Sequence, residues 1–222
     1  MAKYVMGDIH GCLDKLKECL NKVNFDYEND TLIQLGDVVD RGPNSYGVVE
    51  ELMKIKHLIA IRGNHDDGWM NTLCFGNMNA LWSEGGKETF FSYRDNNALK
   101  NESHHQFFLN QVNYYIDGED LFVHGGFDRH RKIEEQDKTI LCWDRDLWLA
   151  ALGHEAMRGY TSYKFKIKDK FKRIFIGHSP TQMWGYYEPM KAANIINIDT
   201  GSGKGGNLTI MNVETEEYWQ SK

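Results

Sequence analysis

The sequence predicts an α/β protein, and two patterns carry that prediction. Short apolar runs alternate with segments of helical periodicity through the first 65 residues, which is typical of strands laid into one sheet and connected by helices. Each run also ends at or just before a glycine that is followed by polar side chains, as at Gly7, Gly36 and Gly63. We therefore expect polar loops to gather at one edge of a sheet.

The elements of this first part follow from the spacing of apolar residues. Three strands are predicted, over residues 3–6, 31–35 and 58–61. A first helix is predicted by the helical spacing of Leu13, Leu16, Leu20 and Val23. A second helix follows the segment 43–45, which opens with a proline, and extends to about residue 56.

Two longer segments interrupt the pattern beyond residue 65. Residues 66–113 and 127–172 are polar or charged, and we expect them to form small cap insertions in a single domain that spans residues 1–222. Strand signal returns at residues 114–116, 121–123, 173–176, 194–198 and 208–213. Asp117-Gly118 predicts a hairpin turn, and the glycine-rich segment 199–207 predicts a hairpin-type loop between the last two strands.

The overall charge bears on the class of partner. Lysine and arginine total 26 against 32 for aspartate and glutamate, a net charge of -6. Non-specific nucleic-acid binding needs a basic surface, so we expect no nucleic-acid partner. No apolar run approaches the roughly 20 residues of a membrane helix, so we expect no membrane contact.

The four cysteines and the first residues bear on the compartment. The cysteines form no Cys-x-x-Cys pair, and the chain starts without an apolar leader segment. Both features are typical of a reduced protein. We expect a cytoplasmic monomer.

Five short blocks share one pattern, in which glycine occurs next to Asp, Asn or His at the end of a predicted strand. The blocks are residues 7–11, 36–42, 63–66, 124–126 and 177–179. Carboxylate, amide and imidazole together suit a borderline divalent metal such as manganese, iron or zinc. The candidate ligands are Asp8, His10, Asp37, Asn64, His124 and His178.

The number of candidate ligands predicts two ions. Six nitrogen and oxygen ligands exceed the four of a tetrahedral zinc site, whereas a carboxylate such as Asp37 can bridge two metals that lie roughly 3.5–4 Å apart. A hydroxide shared by both ions would be an activated nucleophile at neutral pH. The sequence contains neither a Gly-x-Ser-x-Gly elbow nor a Cys-x5-Arg phosphate loop, in agreement with a mechanism that needs no side-chain nucleophile.

These blocks resemble the motifs of the calcineurin-like metallophosphoesterases, in particular their phosphoprotein phosphatase branch. Gly-Asp-x-His-Gly, Gly-Asp-x-Val-Asp-Arg-Gly and Gly-Asn-His-[Asp/Glu] are all intact, and the blocks at His124 and His178 resemble the two later histidine blocks. The compact length and the ending at residues 198–208 are most similar to the small bacterial and phage-type serine/threonine phosphatases. The resemblance implies a central β-sandwich of mixed sheets flanked by helices, a four-layer fold with small cap insertions.

The resemblance also implies roles for residues within and near the blocks. Asp8, His10 and Asp37 would hold one ion, and Asp37 would share the second ion with Asn64, His124 and His178. His65, oriented by Asp40, would protonate the leaving alkoxide. Phosphate oxygens would be bound by Arg41, Arg62, Arg145 and Asn64.

The function that follows is metal-dependent hydrolysis of phosphate monoesters, most simply by a serine/threonine protein phosphatase. The substrate would be a phosphorylated protein or a small phosphoester, attacked in line by the hydroxide that bridges two ions. Manganese is the expected metal, with iron and zinc as alternatives. A symmetrical diadenosine polyphosphate hydrolase shares most of this cage and is the alternative function. A non-catalytic phosphate-binding protein is disfavoured, because it would not need the acid His65.

Overall fold

The computed structural model describes residues 1–77, 81–160, 162 and 164–222. Within them it contains ten strands and seven α-helices. The strands are β1 (Lys3–Met6), β2 (Thr31–Gln34), β3 (His57–Ala60), β4 (Tyr114–Asp117), β5 (Asp120–Val123), β6 (Arg173–Ile176), β7 (Met190–Ala192), β8 (Ile195–Asn197), β9 (Thr209–Asn212) and β10 (Tyr218–Gln220). The helices are α1 (Leu13–Lys22), α2 (Ser45–Leu52), α3 (Asn64–Phe75), α4 (Gly86–Asp95), α5 (Glu102–Leu109), α6 (Lys138–Trp143) and α7 (Asp146–Ala156).

The strands form two mixed sheets of five strands each. In the first sheet, of order β10-β9-β1-β2-β3, the strands β1, β2 and β3 are parallel and β9 and β10 complete one side in antiparallel pairing. In the second sheet, of order β4-β5-β6-β8-β7, the parallel strands β5, β6 and β8 lie between two antiparallel edge strands. Each sheet therefore has three parallel strands whose carboxyl ends lie at one edge.

Alternating side chains build the layers. Val5 of β1 faces an apolar cluster between the two sheets, whereas its sequence neighbours face the cluster under α1 and α2. Phe122 and Phe175 stack in the inner cluster, with ring centroids 4.8 Å apart. Trp148 of α7 is fully buried on the outer face of the second sheet. Helices and two sheets thus form the predicted four-layer α/β fold.

Several sequence predictions differ from the structure. The second helix, predicted to extend to about residue 56, ends at Leu52. The edge strands β7 and β10 are missed, because they are three residues long and lack a clear apolar alternation. The hairpin predicted around residues 199–207 is wrong, since β8 lies in the second sheet and β9 in the first. An apolar run identifies a strand without identifying its sheet, so this crossover cannot be deduced from the pattern. The hairpin turn after Asp117 is confirmed by the antiparallel pairing of β4 with β5.

The segments predicted as caps contribute helices to the two outer layers. In residues 66–113, Trp69, Tyr93 and Phe108 are fully buried in the same cluster as the outer face of the first sheet. In residues 127–172, α6 and α7 cover the second sheet. The division of the chain into one domain with caps stays a prediction. None of the helices in the described parts of the chain has the length and apolar character needed to cross a bilayer.

Candidate metal centre

Six loops converge where the parallel strands of both sheets end. The residues that follow β1, β2, β3, β5, β6 and β8 include Asp8, Asp37, Asn64, His124, His178 and Asp199. Each of these side chains is at most 5% exposed. Burial of so many polar groups is costly unless they bind one another or a cation, so the cluster is a specialised site and not an ordinary turn region.

Several loop residues adopt a left-handed backbone. The φ angles of His10, Asp37, Asp40, Arg41 and His178 lie between 50° and 70°. Such a conformation costs a residue with a side chain about 1–3 kcal/mol. The surrounding structure therefore has to impose it, and the concentration of these residues here marks the site as functional.

Two glycines of the motifs are required by space. A Cβ atom on Gly63 would lie 2.1 Å from Oδ1 of Asp37, and one on Gly177 would lie 2.2 Å from Oδ1 of Asp8. Neither glycine has a positive φ, so at these positions close approach to a carboxylate, and not a left-handed backbone, explains the glycine.

The histidines direct ring nitrogens at the site. Nδ1 of His10 donates to the carbonyl of Val39 (2.9 Å), and Nδ1 of His124 donates to the carbonyl of Leu35 (2.7 Å). These bonds leave Nε2 of each ring directed at the carboxylates. Nε2 of His178 is buried without a hydrogen-bond partner in the described residues. Such donors fit a metal cation.

Asp37 lies between two groups of possible ligands. One group joins it to His10 and His65 and the other to His124 and His178, with all ligand atoms of a group within 4.8 Å of one another. Oδ2 of Asp37 is 3.6 Å from Nε2 of His10 and 3.5 Å from Nε2 of His124. A carboxylate in this position is what a dinuclear site requires of its bridging ligand.

Asp8 and Asn64 complete the set of predicted ligands. Oδ2 of Asp8 lies 3.9 Å from Nε2 of His10, and Oδ1 of Asn64 lies 3.2 Å from Nε2 of His124. The structure thus brings all six predicted ligands together around Asp37. Their chemistry fits two divalent cations, and their role as ligands stays a prediction.

Burial and mutual charge shift the pKa values of this cluster. Burial raises the pKa of Asp8 well above its usual value and lowers that of His10 well below it. Burial likewise lowers the pKa of His178 to about 2. Burial opposes ionisation of Asp37 too, but attraction to His124 holds the pKa of this carboxyl well below its usual value. Burial would lower the pKa of His124, but the same attraction outweighs it and raises this pKa to about 10. Divalent cations would compensate the buried carboxylates.

A buried network holds His65, the predicted acid. Nδ1 of His65 lies 2.7 Å from Oδ2 of Asp40, and the Thr89 hydroxyl donates to the other carboxylate oxygen at 2.7 Å. The backbone N–H of Asp40 donates to the same hydroxyl (2.8 Å), which also contacts Ser45 Oγ (2.9 Å). Thr89 lies on α4, 49 residues from Asp40, and no sequence pattern marks it.

Asp66 is a second residue whose part in the site the sequence did not reveal. Its carboxylate accepts the backbone N–H groups of Asp37 (2.8 Å), Val38 (2.9 Å) and Gly63 (3.1 Å), and also Nε2 of Gln111 (3.0 Å). Burial raises the pKa of Asp66 to about 6, while these four donors favour its ionised form. Asp66 therefore ties the loop that carries Asp37 to the start of α3.

The three predicted phosphate-binding arginines differ in position. Arg41 donates through Nη2 to Nε2 of His65 (2.9 Å) and through Nη1 contacts Nε2 of His10. Arg145 precedes α7, and its charge contributes to lowering the pKa of His178.

Arg62 takes a different direction. Its guanidinium donates to the carbonyl of Phe108 at 2.6 Å, at the end of α5, and lies 3.7 Å from the carboxylate of Asp67. A basic side chain satisfies the free carbonyls at a helix C-terminus, which explains this orientation. The structure thus places Arg41 in the cage and the charge of Arg145 near it, but directs Arg62 to a helix end.

An exposed aromatic ring lies at the rim of the site. Two other tryptophans, Trp69 and Trp148, are fully buried. Trp143 is 45% exposed, and its ring lies 6.0 Å from that of His178 in an edge arrangement. A cavity of about 640 Å³ opens beside it, so substrate groups next to the phosphate would meet this ring.

Comparisons with known proteins agree with this geometry. The family model for calcineurin-like phosphoesterases matches residues 1–182. The chain is 26% identical over 219 residues to serine/threonine-protein phosphatase 1 of Salmonella typhimurium, covering 95% of this chain and 91% of that protein. It is 25% identical over 275 residues to a symmetrical bis(5'-nucleosyl)-tetraphosphatase of Neisseria meningitidis, covering 99% and 95%.

A solved structure shares the fold. The structure of a proposed diadenosine tetraphosphatase superposes with a TM-score of 0.69 at 17% identity, over 99% of this chain and 92% of that one. The family model matches residues 1–182 and therefore includes the loops that carry Asp8, Asp37, Asn64, His124 and His178. The chain therefore belongs to the calcineurin-like phosphoesterases, a family of metal-dependent hydrolases.

Proposed function

We propose that the protein hydrolyses phosphate monoesters on serine or threonine side chains of proteins, using two divalent metal ions. The observation that supports this ranking is the extent of the alignments. The alignment with the serine/threonine phosphatase runs over 219 positions. The alignment with the tetraphosphatase runs over 275 positions, more than the 222 residues of this chain, so that enzyme has segments without a counterpart here.

The metal ions are proposed to be held by the six residues gathered around Asp37. Manganese is our first choice, and iron and zinc also accept carboxylate, amide and imidazole ligands. When bound, the two ions would act as Lewis acids on the phosphate and supply an activated water.

The side chains around the cage would bind the phosphate and move the proton. Arg41 would bind phosphate oxygens, and Arg145, whose charge contributes to lowering the pKa of His178, would add positive charge there. His65 would protonate the departing serine or threonine oxygen from Nε2, the nitrogen that accepts from Arg41 in the structure. Arg41 therefore has to turn from His65 to the phosphate before the acid can act. Asp40, held by Thr89, fixes the imidazole in place during this exchange.

A symmetrical diadenosine polyphosphate hydrolase is the second candidate function, supported by the similarity over the whole chain to the Neisseria enzyme. Exposed Trp143 also favours it, because an aromatic ring beside the cage can stack on a base. The same cage would serve both reactions.

A direct comparison of substrates tests the ranking. The enzyme is loaded with manganese, and kcat/KM is measured on a phosphoserine peptide and on diadenosine tetraphosphate. We expect faster cleavage of the phosphopeptide, and faster cleavage of the dinucleotide would reverse our ranking. The variant Asp37→Asn is the control, because loss of the shared carboxylate should abolish both activities.

A further inference from the structure

A line of lysines crosses one side of this acidic protein. Residues 164–173 read Lys-Phe-Lys-Ile-Lys-Asp-Lys-Phe-Lys-Arg, and hold six of the 26 lysines and arginines but one of the 32 acidic residues. Exposure alternates strictly along the segment, with every lysine exposed and each residue between them half-buried. We call this set the lysine ridge; it consists of Lys164, Lys166, Lys168, Lys170 and Lys172.

The segment is anchored so that the lysines face solvent. Phe165, Ile167 and Phe171 pack against the apolar cluster of the second sheet. The carboxylate of Asp169 accepts the backbone N–H of Ile133 at 2.7 Å. In the described parts of the chain, no ammonium group of the ridge forms an ion pair or a hydrogen bond. The ridge therefore presents five unpaired positive charges on a fixed backbone.

One end of the ridge leads toward the metal centre. Its first two lysines line a cavity of about 600 Å³ together with Arg129 and His130. Arg129 and His130 also line the neighbouring cavity of about 640 Å³, which reaches Trp143 beside His178. A chain bound along the ridge could thus continue into the second cavity toward Trp143. The lining of that cavity includes Asp128, Asp144 and Asp146, so the part of the chain next to the phosphate would have to be free of acidic side chains.

We propose that the lysine ridge binds an extended acidic segment of the phosphoprotein substrate, in which aspartate, glutamate or further phosphorylated residues occupy alternate positions. The inference rests on the proposed protein phosphatase activity. Alternate residues of an extended chain lie roughly 6.6 Å apart on one face. The ridge has the same alternation of exposed and half-buried residues, with bends at residues 168, 169 and 172. Acidic side chains of a segment that follows these bends would therefore face successive lysines.

The packing of the segment disfavours other anionic partners. Binding of single-stranded nucleic acids is strengthened by exposed aromatic rings on which bases stack, and binding to membrane surfaces is strengthened by exposed apolar side chains that enter the bilayer. Phe165, Ile167 and Phe171 are instead turned toward the core.

Binding is tested first without catalysis. The ridge variant carries Lys164→Gln, Lys166→Gln and Lys168→Gln, and the control variant carries Lys17→Gln, Lys56→Gln and Lys100→Gln, which are exposed lysines outside the ridge. The probe is a fluorescent, unphosphorylated peptide with aspartate at alternate positions, followed by anisotropy. We expect the ridge variant to bind about tenfold more weakly, as three exposed ion pairs predict, and the control variant to bind like the wild type. Equal affinities of the two variants would overturn the proposal.

Catalysis is tested with matched phosphoserine peptides whose flanks carry aspartate or glutamine at alternate positions. The kcat/KM of the wild type should be about tenfold higher on the peptide with acidic flanks than on the peptide with glutamine flanks, mainly through a lower KM. The ridge variant should lose this preference but hydrolyse p-nitrophenyl phosphate at the wild-type rate. A preference that persists in the ridge variant contradicts the proposal. The proposal is also contradicted if oligothymidylate or phosphatidylserine vesicles bind more tightly than the acidic peptide and that binding requires the ridge lysines. If no phosphopeptide is cleaved, the proposed activity fails, and the anisotropy result still decides the role of the ridge.

Discussion

Replacement of His65 by asparagine tests the chemistry of the cage most directly. The imidazole is 1% exposed, and its Nδ1 lies 2.7 Å from Asp40, so Nε2 has a fixed position. Asparagine preserves a polar side chain there but cannot deliver a proton. A positioned general acid contributes about 10²–10⁴ in rate, which corresponds to roughly 2.7–5.5 kcal/mol of transition-state stabilisation. We expect this loss in kcat for a phosphoserine peptide.

The dependence on the leaving group makes the test specific. Nitrophenolate departs without a proton, so we expect kcat on p-nitrophenyl phosphate to fall by less than about tenfold. Steady-state rates on both substrates are measured with manganese bound, and metal analysis should give the same content as in the wild type. His57→Asn, which alters the exposed histidine at the start of β3, is the matched control. Full activity of His65→Asn on the peptide, or an equal loss on both substrates, would refute the assignment of His65 as the acid.

Three further predictions concern the surroundings of the cage. Thr89→Val removes the hydroxyl that contacts both the carboxylate and the N–H of Asp40. We expect the free energy of unfolding, measured in urea, to fall by about 1–3 kcal/mol. The kcat on a phosphoserine peptide should fall less than in His65→Asn. Gly177→Ala places a methyl group against Asp8 and should weaken manganese binding, followed by calorimetry, by about 10–100-fold. Gly153→Ala in α7, where a Cβ meets nothing within 4 Å, should leave that affinity unchanged and raise the free energy of unfolding by about 0.5–1 kcal/mol. Burial raises the pKa of Cys19 and of Cys142 to about 12, so at pH 8 about one thiol in 10⁴ is ionised; dithiobis(nitrobenzoate) should label half-exposed Cys12 in the folded protein and these two only at higher pH or in denaturant. Rapid labelling of all four at pH 8 in the folded state would contradict the described burial.

The residues around Asp37 could be predicted because they lie in short, local motifs. Each motif combines a strand end with a side chain suited to a metal, and parallel strands bring such ends to one edge. Thr89 and Gln111 could not be predicted, since their partners Asp40 and Asp66 lie 49 and 45 residues away. Contacts of this kind arise from the packing of helices, which apolar periodicity does not specify.

Charge gives a second example of what a sequence reading can miss. The total of -6 suggests a surface that repels anions, yet the residues from 164 to 173 are strongly basic. A sum over the chain averages away any local concentration of one sign. The alternation of lysine with other residues, three of them apolar and one Asp169, is visible in the sequence, but the structure is needed to show which side chains face the core.

The position of β9 has a consequence for how the protein is made. Tyr4 of β1 pairs with Asn212 of β9, so one edge of a central strand lacks its partner until the ribosome has reached residue 212. At about 5–20 residues per second, roughly 10–40 s pass between the appearance of the two strands at the ribosome. During this interval the nascent chain exposes unpaired strand edges that can join those of another chain. Recovery of active enzyme should therefore depend on chaperones and on the rate of translation more than the small size of the protein suggests.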